Sequence, residues 1–332
     1  MLGYVAIQVP VVNPYEIIFF LPPPVDCDGT KRHRRRSGLT MSAISRRNPA
    51  GDALRRKFRK TLGTVIRDLG AKNSDAHSPR RRLKYLRSLL VMMRPALGRK
   101  TFKRADSVLL HTARSMSNRR KAEAMLETVT KLRGQGLGPS ELSALDALES
   151  ILANSPHASV TSERMSDYSA LGRDLAGLRR TAKNWSLPAR NPSAYVEGLG
   201  NTYGRARKRL RQGLVTGRIA DLHEARKSII HHLHQIQSVE AIWPSVFQLW
   251  VKELEMLREY LGEINDYDDL TSQLANSADK LDPGARQTLK RLLSKRIEPL
   301  KKTVALASAH LFQEKPKVFV RRMDRMWREF AS

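Results

Sequence analysis

The sequence predicts an all-α protein of about ten helices, and three observations carry that reading. From Asp52 onward, apolar residues recur at three- and four-residue spacing, the mark of helices with one buried face. Proline, glycine, serine and aspartate punctuate these stretches where helices should start and stop. No segment sustains the alternation of a strand or carries the dipeptides of a tight hairpin. Short connections then make successive helices antiparallel neighbours.

The first helix starts at Asp52, repeats Leu54, Phe58, Leu62, Val65, Ile66 and Leu69 on one side, and closes at Gly70. A second opens near His77, with Pro79 early, where no amide donor is needed, and runs to about Met93. A third spans about Lys100 to Leu132, and Gly134, Gly136, Gly138 and Pro139 form the turn after it. Ser140 and Glu141 start a fourth, to about Asn154. Ser162 to Trp185 is the next, closed by Pro188 and Pro192. Tyr195 to Leu214 follows, and then a helix from about His223 to Ile242. Pro244 opens a long helix through Leu274, Asp282 and Pro283 cap one that reaches about Phe312, and a short last helix holds Arg321, Arg322 and Trp327. The four tryptophans, Trp185, Trp243, Trp250 and Trp327, read as core or bundle-end packing.

Residues 1–50 differ from the rest. Apolar pieces come first, then a proline run, then KRHRRRSG. A signal peptide would put the basic residues before the apolar stretch. The segment reads as a disordered leader, or as sequence upstream of a true start at Met41, with a basic arm as the alternative. The longest apolar run, Ile17 to Leu21, is cut off by Pro22, Pro23 and Pro24, far short of the ~18 residues of a spanning helix. No membrane partner is expected.

Charge is the outlying feature of the composition. Sixty basic residues against 32 acidic ones give a formal net charge of +28. Such a field attracts polyanions: nucleic acid, an anionic surface or inorganic polyphosphate. Aromatics make up only 6%, thin for a protein that stacks unpaired bases. One cysteine, Cys27, can form neither an internal disulfide nor a zinc ribbon, which points to a reducing, cytoplasmic setting.

The basic residues concentrate in two matching stretches, HSPRRRLKYLR from His77 and HEARKSIIHHLH from His223. On helical spacing His77, Arg80, Lys84 and Arg87 fall within roughly 80° of arc. His223, Arg226, Lys227, His231 and His234 fall within roughly 140°. Each is a row of donors that water with counterions, or an anionic ligand, must complete. About 40 residues after each lies a second local pattern, SNRRKAEAML from Ser117 and GEINDYDDL from Gly262. A basic helix followed by a long helix, twice, suggests two related bundles, with halves at about 52–155 and 190–330. If their basic faces meet, the cations line one shared cleft.

The same residues admit other chemistries. His231 and His234, three apart, could share a metal ion, yet no fitting Cys or carboxylate partner is evident, so no metal or other cofactor is expected. HEARK resembles the opening of a zinc-protease motif, but Lys227 stands where the second histidine belongs. Asp266, Asp268 and Asp269 could hold Mg²⁺ or act as a base; the competing reading pairs Asp266 with an arginine that keeps the long helix in register.

Taken together, these motifs resemble the CHAD family, the conserved histidine α-helical domain. The first motif is His77, Arg80, Lys84 and Arg87. The second is LHEARK at Leu222 to Lys227, then a histidine-rich turn, Trp243–Pro244, and LGEINDYDDL from Leu261. Tyr203 with Arg205, Arg207 and Lys208 is similar to the Tyr-basic segment before the second motif, and KPKVFVRR, with Lys317 and Arg321, is similar to the C-terminal segment. The resemblance covers about 52–330. Ile230, Lys121 and Tyr85 depart from the family pattern, which usually has lysine, aspartate and arginine there.

The resemblance implies two antiparallel four-helix bundles related by a pseudo-twofold axis, around a basic central channel. It implies binding of inorganic polyphosphate by the motif residues and location at polyphosphate granules. With no metal site evident, the expected function is binding without catalysis, and granule-associated proteins or a second copy are the further partners expected. Some CHAD proteins carry a triphosphate-tunnel domain, marked by an ExExK strand; this sequence has none, and no Gly-rich phosphate loop. The alternative expectation is a protein that binds nucleic acid through charge alone.

Overall fold

The computed structural model describes residues 44–45, 50–71, 77–116, 120–153, 165–189, 191–277 and 279–332. The expectations for residues 1–43, leader or basic arm alike, lie outside them. The helices belong to one of the two units of the chain, Thr40–Ser332.

Among the described residues ten α-helices follow in order: α1 (Gly51–Gly70), α2 (His77–Ser115), α3 (Arg120–Arg133), α4 (Pro139–Ala153), α5 (Met165–Thr181), α6 (Ser193–Thr216), α7 (Ile219–Ser238), α8 (Pro244–Asn276), α9 (Pro283–Leu311) and α10 (Pro316–Ala331). Short 3-10 turns, Ala182–Asn184 and Glu240–Ile242, follow α5 and α7. All the regular elements among the described residues are helical, so the all-α expectation holds.

Local chemistry sets the ends. Pro244, Pro283 and Pro316 each sit in a first helical turn, where their missing N–H costs nothing. The Asp282 carboxylate accepts the Ala285 N–H at 3.0 Å, a side-chain cap on α9. Gly217 ends α6 with φ 65°, a left-handed cap that suits glycine. In α2 the helical run passes Met93 and Pro95 and breaks at Gly98, where φ is 73° and ψ 164°. The second and third expected helices therefore meet at a glycine kink, as limbs 77–97 and 99–115, and α3 starts anew at Arg120.

Packing repeats along the chain. The helix α1 packs on α2 and α5; α6 packs on α7 and α10. The α3–α4 hairpin lies on the α8–α9 hairpin, α3 against α8 and α4 against α9. Between these groups α2 packs on both α6 and α7. One apolar core links all ten helices, built from residues such as Leu54, Phe58, Leu86, Leu89, Val129, Leu148, Leu175, Leu199, Ile229, Leu257, Leu292 and Met323.

The α2–α6 crossing is close. A Cβ on Gly198 would stand 2.0 Å from the Met92 carbonyl oxygen, so only glycine permits this approach. Trp185 and Trp327 are buried and Trp250 packs against the core, as expected. Trp243 departs from that expectation: at the start of α8 it is 51% exposed.

Candidate functional site

The two basic helices meet. Along the α2–α7 contact, Ser88 of α2 is fully buried, with Oγ 3.0 Å from His231 Nδ1 and 2.9 Å from His234 Nδ1. The Ser88 hydroxyl donates to the Lys84 carbonyl at 2.8 Å. Its oxygen is then left to accept ring N–H groups, which makes Nδ1 the protonated nitrogen of both imidazoles. Gln235 reinforces the junction, donating from Nε2 to the Ser88 carbonyl at 3.1 Å and to Thr202 Oγ1 of α6 at 3.2 Å.

These histidines are neutral near pH 7. Burial, then the positive charges of Arg87 and Arg205, pull His231 down to about 4. Burial, then His231, Arg258 and Lys84, pull His234 down to about 3. His232 faces the other way, into the Tyr203, Phe312 and Phe319 rings, and burial alone takes it to about 3. The histidine-rich turn of α7 thus supplies packing and hydrogen bonds rather than charge.

Cations surround this neutral junction. Arg87 is bound to Asp106 of the second α2 limb, Nε to Oδ1 at 2.8 Å. Arg226 donates from Nε to the Arg258 carbonyl of α8 at 3.5 Å, and its guanidinium lies over Gly262, 3.2 Å from where a Cβ would stand. Lys84 is exposed, Arg80 half-buried, and both are engaged by other groups, as is Arg226. Arg205 of α6 is solvent-accessible but crowded by chain; burial, then Arg209 and Arg94, hold its basicity below the usual arginine value. No carboxylate pairs with Arg205 or Arg94 among the described residues. Arg209 leans on Glu224 at 3.4 Å and donates to Ser228 Oγ at 3.1 Å. Lys227 reaches the same Glu224 at 2.5 Å, a contact that leads the causes holding that carboxyl below its usual range.

Other predicted residues go elsewhere. Tyr203 is core: it stacks on Phe319 at 4.1 Å and donates its hydroxyl to the Glu314 carbonyl at 3.1 Å. Burial pushes its phenol up to about 12. Arg207, about 200° round α6 from Arg205, donates from Nε to the Phe312 carbonyl at 2.9 Å and ties α6 to the turn before α10. Lys208, Lys317 and Arg321 are exposed. His77 opens α2, but its side chain, like that of Lys121, lies outside the described residues. His223 contacts the Asn265 side chain through Nδ1, and Asn265 donates on to Asp269 at 3.2 Å. The carboxylate-rich end of α8 is thereby linked to the second motif. Among the described residues no group of three His, Cys, Asp or Glu side chains is placed to hold a metal ion.

Sequence reasoning missed Arg94, Arg209, Arg258 and Ser88. Arg94 stands seven residues after Arg87, on the same stripe, and Arg209 four after Arg205, so spacing could have found both. Arg258 and Ser88 carry no local signal. Tyr85, the departure in the first motif, is buried, sits edge-on to His234 at 5.5 Å, and receives Lys57 of α1 over its ring at 5.9 Å.

The CHAD domain family model matches residues 50–275, about two thirds of the chain. The chain belongs to the CHAD family. Binding of inorganic polyphosphate is a property of that family. The CHAD match spans α1 to nearly the end of α8, and the Lys315–Arg322 segment lies beyond it. A comparison with curated proteins returned no match. Among the described residues no helix of this CHAD protein is long and apolar enough to cross a membrane.

Proposed function

We propose that this CHAD protein binds inorganic polyphosphate, without catalysis, along the basic seam where α2, α6 and α7 meet. The observation that carries the reading is Arg205, exposed on α6, near enough to Arg209 and Arg94 to feel their charge, and with no carboxylate partner among the described residues. Like charges crowded together at an accessible surface cost free energy until an anion arrives. Polyphosphate suits such a seam. It has no base to stack and no groove to read, and its repeating oxygens accept charge-assisted bonds from guanidinium forks. The Ser88–histidine junction, buried and neutral, holds α2 against α7 and so positions the surrounding cations without itself meeting the ligand. Extension of the seam into a channel, and location of the protein at polyphosphate granules, belong to the same reading.

Calorimetric titration of the full chain with long-chain polyphosphate and with double-stranded DNA, at two salt concentrations, tests it. Polyphosphate binding should outlast DNA binding as salt rises and collapse in the Arg94→Glu/Arg205→Glu variant. Equal binding of both polymers, untouched by the two reversals, would leave a cationic surface with no seam-specific ligand.

A further inference from the structure

A second set of cations stands on the far side of α1. Lys57 of α1 points over Tyr85, toward the seam. Arg59, about 200° further round the helix, lines a recess of about 410 Å³ with Ala176, Arg179 and Arg180 of α5 and Lys183 of the following turn. Ala176, Arg179 and Arg180 fall within about 100° of arc, while Asp174 lies about 160° round from Ala176.

The two central arginines hold each other. Arg59 Nε donates to the Arg179 carbonyl at 3.3 Å, and Arg179 Nε donates to the Arg59 carbonyl at 3.3 Å. Each guanidinium is fixed by one bond to backbone, leaving its four Nη hydrogens without a protein acceptor among the described residues. Gly63 makes the bed: a Cβ there would stand 3.4 Å from Arg179 Nε and 3.7 Å from Nη2, so the guanidinium lies against the bare α1 backbone. The two α1 carboxylates are committed elsewhere, Asp52 to Arg55 at 2.6 Å and Asp68 to Arg82. Among the described residues no acid pairs with Arg59, Arg179, Arg180 or Lys183.

We propose that this recess is a second anion site, separate from the seam, for a compact group of two or three linked phosphates. Four cations around one small hollow demand several negative charges close together. The volume is that of a single small-ligand pocket, not a track for a polymer. The lining adds one alanine and no aromatic, so nothing in it selects a base or a ring. The ligand chemistry is therefore the di- or triphosphate group itself, free or carried by a nucleotide. The recess is built from α1, α5 and the turn after it alone, whatever the seam binds.

Titration of the full chain with inorganic tripolyphosphate, and separately with ATP, tests the site. The Arg179→Gln/Lys183→Gln variant changes two exposed side chains and should melt with the wild type. Its tripolyphosphate affinity should fall about tenfold or more for the guanidinium alone, since a hydrogen bond to a charged group is worth that much. Long-chain polyphosphate binding in the same variant should remain. The Arg94→Glu/Arg205→Glu seam variant should behave in the opposite way, keeping the recess and losing the long chain. Equal affinity for tripolyphosphate and ATP would assign the triphosphate group alone, and tighter ATP binding a nucleotide source. Wild type that takes up neither ligand, or a recess variant that titrates like wild type, would overturn the proposal, whatever the seam does.

Discussion

The seam and the recess are both rich in arginine, yet they hold their charge in opposite ways. At the seam most cations lean on something: Arg87 on Asp106, Lys227 and Arg209 on Glu224, Arg258 on Glu259 at 3.0 Å, Arg226 on a carbonyl. Beneath them lies a tight crossing with a neutral Ser–His junction at its centre. At the recess the arginines are fixed only by each other's backbone carbonyls, over a glycine, with no acid among the described residues. A charged surface can thus be ordered by counter-charges, which weaken its field, or by neutral acceptors, which leave the field whole. The first suits a long ligand that must be received in register. The second suits a small, highly charged one.

The largest expected effect sets the two glycines against each other. Gly198→Ala places a methyl group 2.0 Å from the Met92 carbonyl and should cost about 3 kcal/mol or more, as overpacking of a fixed backbone does. Gly63→Ala meets only the Arg179 guanidinium at 3.4 Å and should be neutral, or gain up to about 1 kcal/mol from helix propensity. Denaturant unfolding of the pair reads both. A similar loss at the two positions would erase the distinction between a packed crossing and an open bed.

Acid should separate the regions next. His231, His232 and His234 have folded values of about 4, 3 and 3, well below an unfolded histidine near 6.5. The unfolded chain binds more protons in that interval, so stability is full above about pH 6.5 and falls as pH drops towards 4. The slope is on the order of 1.4 kcal/mol per pH unit for each histidine that stays neutral. His232→Leu, which removes the ring nitrogen Nδ1 that is buried without a partner, should flatten melting temperature against pH. The recess lining holds no histidine, so Arg179→Gln should leave the curve's shape alone. An unchanged slope in His232→Leu would mean that the buried rings do not govern it.

Counter-charge gives a subtler contrast. Asp106→Asn should lower stability by about 1 kcal/mol, the worth of a partly exposed pair, while raising polyphosphate affinity because Arg87 is released. Weaker binding instead would show that Asp106 positions Arg87 for the ligand. Smallest of all, Arg205→Gln should reduce the slope of log affinity against log salt by about one unit, as expected when one phosphate contact is lost.

Much of the fold was legible because proline and glycine mark helix ends by what they lack. Pro244 and Pro283 open helices and Gly70 closes one, each where it was expected. The kink at Gly98 was not legible: an end was expected near Met93, but the helical run passes it and Pro95 and turns at Gly98. At the seam, the repeated His-x-x-Arg pattern located both basic helices, and their meeting was the natural guess. The role of the histidines was hidden, since burial decides whether an imidazole is a charge or a packed ring, and burial is a property of neighbours. Tyr203 and Arg207 were misleading for a related reason. They sit in a basic segment, yet their side of α6 faces the turn before α10. The recess was invisible, because Arg59 and Arg179 are 120 residues apart and share no motif.

Two arginines in this protein rest on glycines of a neighbouring helix, Arg226 on Gly262 and Arg179 on Gly63. The consequence is evolutionary. Where the contact is tight, as for Arg226 at 3.2 Å from a Cβ on Gly262, the glycine is an imprint of a side chain carried elsewhere in the chain, and the position does not drift freely. Gly63, at ordinary contact distance from Arg179, should accept alanine. Among relatives that have lost the arginine at 226, position 262 should fill in with alanine or larger residues, and where that arginine persists the glycine should too. Covariation of 262 with 226, and its absence between 63 and 179, would record in sequence which of the two contacts is packed.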